Sequence, residues 1–121
     1  MSLFGPHDGL VLLHNPRCSK SRATHALLEE RGVEFSVRLY LDDPLSVEEL
    51  EELGRRLEKS TADWVRKGES VFREAGLGSD SSDAELRAAI AKHPILMERP
   101  ILVSAEQAAV GRPPENVLAL L

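Results

Sequence analysis

"GLVLLHNPRCSKSRATHALLEERGVEFSVRLYL", residues 9–41, is the stretch on which the fold turns. Its first five residues are a continuous apolar run, as expected of a strand covered on both faces in a parallel or mixed sheet. After a polar turn, residues 19–33 read as an amphipathic helix. Ala23, Ala26, Leu27 and Leu28 supply its apolar side, and Arg31 and Gly32 its stop. Val33, Phe35, Val37, Leu39 and Leu41 then alternate with Glu34, Ser36 and Arg38, the period of a second strand. The opening is therefore β–turn–α–β. The single cysteine, Cys18, falls at the strand-to-helix junction.

Beyond this unit the chain turns helical. Ser46 and Glu49 have capping-box spacing, and Val47, Leu50, Leu53 and Leu57 keep a helical period. Residues 59–77 read as two short helices broken near Gly68. Ser82 and Glu85 repeat the capping box before an apolar stripe of Leu86, Ala89 and Ile90. The end, "RPILVSAEQAAVGRPPENVLALL", reads as a strand around 101–103, a turn, a short strand at 108–110 and a helix opened by Pro113 and Pro114. A β-α-β half and a β-β-α half around one mixed sheet is the thioredoxin-like arrangement, here with a helical insertion over about 46–92. Element order alone admits other α/β sandwiches; the position of the cysteine favours this one. The whole chain, 1–121, reads as a single domain.

Composition narrows the function classes. The 121 residues suffice for one core without disulfides or metals. A lone cysteine cannot form an intrachain disulfide, and "MSLFGPHDG" lacks the basic and apolar regions of a signal peptide. No apolar run has transmembrane length. A cytoplasmic protein is expected, with no membrane association. The net charge of −5 disfavours general nucleic-acid binding, which needs a basic face.

The turn "HNPRCSKSR" (14–22) puts Cys18 beside the unpaired N–H groups and positive dipole end of a helix, with Arg17, Lys20 and Arg22 nearby. A free cysteine of pKa about 8.5 is only about 3% thiolate at pH 7, whereas such settings lower the pKa to roughly 3.5–7.5. Cys18 is either an inert surface thiol or a nucleophile, and the polarity of the turn favours the nucleophile. Cys18-Ser19-Lys20-Ser21 is C-x-x-S, so no second cysteine resolves an adduct. An external thiol must release it. Ser21 is either an ordinary first-turn serine or a hydrogen-bond donor to the thiolate.

"HNPRCSKSR", with "YLDDP" at 40–44, "HPILMERP" at 93–100, "ERPILV" at 98–103 and "GRPPE" at 111–115, resembles the glutaredoxin-coupled arsenate reductase family over nearly the whole chain. The resemblance implies a thioredoxin-like fold and Cys18 as the nucleophile that attacks arsenate. It also implies three oxyanion-binding arginines, Arg66, Arg99 and Arg112. His14 matches a family histidine that helps keep the thiol ionised, and also fits a simple strand-end cap. Pro100 matches the cis-proline that faces the cysteine, with Arg99 before it pointing into the site. Where the family carries Gly-Thr after the nucleophile, this chain has Ser19 and Lys20.

The need for cations is independent of resemblance. Arsenate carries roughly two negative charges at neutral pH, and arginine forks bind such oxyanions by paired, charge-assisted hydrogen bonds. The leading expectation is an oxidoreductase that reduces arsenate to arsenite, with glutathione as co-substrate and glutaredoxin as partner. No bound cofactor or metal is expected, since His7, His14, His25 and His93 lack ligand spacing. Two alternatives stay open: a monothiol glutaredoxin-like thiol transferase, and a redox-related regulator that binds RNA polymerase.

Overall fold

A computed structural model describes residues 9–121; His7 and the N-terminal stretch through residue 8 lie outside the described residues. The chain forms two compact units. One runs up to Asp43 and resumes over Arg99–Leu121; the other is Pro44–Glu98.

The first unit holds four strands, β1 (Leu10–Leu13), β2 (Phe35–Arg38), β3 (Ile101–Val103) and β4 (Ala108–Val110), in the order β2-β1-β3-β4. β1 pairs parallel with β2 and antiparallel with β3, and β3 pairs antiparallel with β4. Helix α1 (Ser19–Glu30) makes the crossover from β1 to β2. A seven-residue 3-10 helix, Pro114–Leu120, closes the chain where an undifferentiated last helix was expected. This is the α/β, thioredoxin-like arrangement read from the sequence. Leu12, Leu28, Leu102 and Val117 form its buried centre, flanked by Leu10, Phe35 and Leu120. Each such side chain contributes about 1.5–3 kcal/mol on burial.

Two local expectations change. β2 ends at Arg38, because β1 offers only four residues to pair with it. The chain then turns, with Leu39 O accepting the N–H groups of Asp42 and Asp43 at 3.0 and 2.9 Å. The turn breaks the alternation expected to continue through Leu41. Leu39 and Leu41 are exposed, whereas Tyr40 between them is buried. On α1 the buried stripe is Ser21, Thr24 and Leu28, while Ala23 and Ala26 are exposed. Small polar side chains face inward at this end of the helix.

The second unit carries α2 (Val47–Leu57), α3 (Ser70–Glu74) and α4 (Asp83–Lys92), with 3-10 turns at Thr61–Asp63 and Pro94–Leu96. Both capping boxes are complete. Ser46 Oγ accepts from Glu49 N–H at 3.1 Å, and Ser82 Oγ accepts from Glu85 N–H at 3.1 Å. Leu50, Leu53, Leu57, Trp64, Leu86 and Ile90 are buried. Arg66 N–H donates to Leu96 O at 2.7 Å, and Glu98 N–H to Trp64 O at 2.9 Å, tying the two segments as a local bridge. No helix among the described residues is long and apolar enough to cross a membrane.

Candidate active site

The turn between β1 and α1 is built on Asn15. Its carbonyl accepts the Cys18 N–H at 3.0 Å, and its side-chain Oδ1 accepts the Arg17 N–H at 3.0 Å. Its own N–H donates to Ser21 Oγ at 2.9 Å. The only sequence signal for this role is the dipeptide Asn15-Pro16, a turn marker. Cys18 is the N-cap of α1, in extended conformation at φ −96° and ψ 126°, and no side chain caps the helix. The first-turn donors are thus left to the thiol. Burial pushes the Cys18 pKa up, but the Ser21 and Lys20 backbone N–H groups and the Arg99 guanidinium outweigh it. The net result is a thiol below the ordinary cysteine range.

Two arginines reach this sulfur from β3 and β4. Arg112 Nη2 lies 3.9 Å from Cys18 Sγ, and its Nε donates to Arg99 O at 2.8 Å. The strand register explains the pairing. Ile101 sits opposite Val110, and the Gly111 N–H donates to Pro100 O at 2.8 Å. Continued one step further, the same register sets Arg99 against Arg112. Like charges placed opposite each other repel, and an anion between them relieves that cost. The Arg99–Pro100 peptide is cis, as expected; Arg112–Pro113 is cis as well, which was not expected.

Ser21 and His14 lie on the other side of the turn. The Ser21 hydroxyl does not go to the sulfur. It accepts from Asn15 N–H and lies 2.7 Å from His14 Nδ1, so only the backbone N–H of Ser21 serves the thiol. His14 is buried, and its ring centroid stands 5.1 Å from that of His25. Burial, then the neighbouring His25 and Arg22 charges, pushes its pKa down. Neutral His14 accepts the Ser21 proton at Nδ1, a tautomer assigned from the hydrogen-bond network.

Arg66 belongs to the second unit. There its Nη1 donates to Ile95 O at 3.3 Å and its Nη2 lies 3.5 Å from Glu69 Oε2. Cys18, Arg99, Arg112, Pro100, His14 and Ser21 are all in the first unit. Among the described residues no group of three or more His, Cys, Asp or Glu side chains is arranged to hold a metal ion.

The ArsC family model matches residues 13–120. An arsenate reductase of Neisseria meningitidis serogroup A is 46% identical over 115 residues, covering 93% of this chain and 97% of that protein. An arsenate reductase of Haemophilus influenzae is 40% identical over 114 residues, covering 93% of this chain and 98% of that protein. The solved structure of an arsenate reductase from Vibrio cholerae superposes with a TM-score of 0.88 at 47% identity, covering 93% of this chain and 97% of that one. With the family model matched over residues 13–120 and a relative 46% identical over 93% of the chain, this chain belongs to the ArsC family.

Proposed function

We propose that this protein is an arsenate reductase that uses the Cys18 thiolate as nucleophile, with Arg99 and Arg112 binding the oxyanion. The observation that carries this is the convergence of two guanidinium groups and two helix N–H groups on one thiol. Family membership supports the substrate, since the similar proteins named above are arsenate reductases.

In the first step the sulfur attacks arsenic, an S–As bond forms and an As–O bond breaks. The departing hydroxide takes a proton and leaves as water. Two positive charges offset the repulsion between thiolate and oxyanion and stabilise charge developing on oxygen. A glutathione thiolate then attacks the Cys18 sulfur. The S–As electron pair goes to arsenic, which leaves as arsenite, and Cys18 ends in a mixed disulfide with glutathione. Because position 21 is serine, the chain has no resolving thiol, and glutaredoxin removes the glutathione. Such a cycle suits a cytoplasmic enzyme that draws on the glutathione pool.

A coupled NADPH assay with arsenate, glutathione and glutaredoxin, run on wild type and Cys18→Ser, tests the proposal. Arsenate-dependent turnover that disappears in Cys18→Ser supports it. Turnover of hydroxyethyl disulfide without any arsenate turnover would assign a thiol transferase instead.

A further inference from the structure

We propose that Gly111 is a positioning residue, whose missing side chain lets the end of β4 seat against α1 and Pro100 and so delivers Arg112 to the Cys18 sulfur. The inference rests on the reading of Arg112 as an oxyanion ligand.

Gly111 is buried between two walls. A Cβ placed on it would lie 2.8 Å from Thr24 Oγ1, 2.9 Å from Pro100 Cγ and 3.4 Å from Thr24 Cγ2. The first two distances are closer than carbon atoms tolerate, and neither wall can yield easily. Thr24 is fully buried and β-branched, and its hydroxyl donates to Lys20 O at 3.0 Å, inside the first turn of α1. Pro100 is a ring fixed at the head of β3. An added methyl group must therefore push the end of β4 away from α1, from Pro100, or from both. Two hydrogen bonds feel that displacement directly: Gly111 N–H to Pro100 O at 2.8 Å and Arg112 Nε to Arg99 O at 2.8 Å. The Arg112 fork hangs from the second, and its Nη2 is already at the outer limit of contact with Cys18 Sγ at 3.9 Å. Gly111 has no positive φ, so the requirement is for space and not for a left-handed backbone.

Gly111→Ala is compared with wild type and with Gly9→Ala, whose added Cβ meets nothing within 4 Å. Folding is checked by circular dichroism. Two readouts follow: KM for arsenate at saturating glutathione and glutaredoxin, and the pH profile of Cys18 alkylation by iodoacetamide. The expected result is a rise of about ten-fold in KM for arsenate, on the scale of misplacing a binding group by a fraction of an ångström. KM for glutathione should hold steady, and the alkylation profile should move to higher pH. Gly9→Ala should match wild type in both. If Gly111→Ala does not fold, Thr24→Ala/Gly111→Ala, which clears one wall, is read in the same way. A folded variant with unchanged arsenate KM and an unchanged alkylation profile overturns the inference. Alkylation does not depend on arsenate turnover. A shifted profile in a protein without arsenate activity would therefore sink the proposed function while leaving the positioning role standing.

Discussion

Arg112 binds the Arg99 carbonyl through Nε at 2.8 Å and faces the Cys18 sulfur through Nη2 at 3.9 Å. One guanidinium thus couples the two arginine positions to the nucleophile. A lysine keeps the charge but has no second donor at the Nε position, so it cannot make both contacts. Arg112→Lys should therefore lower kcat/KM for arsenate, and Arg112→Ala should lower it further, by about 10- to 100-fold, as expected for a lost charge-assisted hydrogen bond. Both should move Cys18 alkylation to higher pH. Equal kinetics in Arg112→Lys and wild type would show that the double contact is irrelevant to turnover.

Ser21 separates stability from thiol chemistry. Its buried hydroxyl satisfies the Asn15 N–H and the His14 ring, while its backbone N–H faces the sulfur. Ser21→Ala should cost about 1–3 kcal/mol of stability in chemical denaturation, because part of the turn loses its acceptor. The backbone N–H survives the substitution, so the midpoint of Cys18 alkylation should change little. A large shift of that midpoint, with stability intact, would contradict this division of labour.

His14 makes the fold sensitive to acid. Burial, His25 and Arg22 hold its folded pKa below the ordinary histidine value. The unfolded chain therefore binds the His14 proton first as pH falls below about 6.5. Stability is full above that pH and declines as pH drops towards the folded pKa. His14→Gln, followed by denaturant titration between pH 7.5 and pH 5 at roughly even steps, should flatten this part of the curve. An unchanged slope would assign the acid sensitivity to other groups.

In the second unit, Ser46 and Ser82 close α2 and α4 by reciprocal capping. Ser46→Ala should cost about 0.5–2 kcal/mol, measured by thermal or urea unfolding. Ser46→Asp, which keeps an acceptor at the cap, should restore most of the loss. A neutral Ser46→Ala would mean that tertiary packing alone holds the helix start.

Features that depend on a few neighbouring residues were legible in the chain itself. Both capping boxes, the limits of β3 and β4, the junction position of Cys18 and the stop at Gly32 (φ +68°) are of this kind. The caps and the Gly32 stop are governed by hydrogen bonds or dihedral preferences that span a turn or less, and β3 and β4 meet across a short hairpin in which Ser104 N–H donates to Gln107 O at 2.7 Å. β2 was legible as a strand but not in its extent, because its length is set by the four residues that β1 can offer. The inward face of α1 was not legible for a related reason. Hydrophobicity favoured Ala23 and Ala26, whereas the neighbours of this helix end require Ser21 as a hydrogen-bonding group and Thr24 as a wall.

The candidate site divides along the same line. Arginines in "ERP" and "GRPPE" were picked out by motif, but nothing local says that Arg112 meets a sulfur 94 positions earlier in the chain. That contact follows from the antiparallel register of β3 and β4, which sets residue 112 against residue 99 beside the end of β1. From the sequence alone came the place of Cys18 at a helix start among basic residues, and motifs whose resemblance pointed to an oxyanion chemistry. Folding decided which donors face the sulfur, because strand pairing and the close approach at Gly111 bring together groups that no local pattern relates.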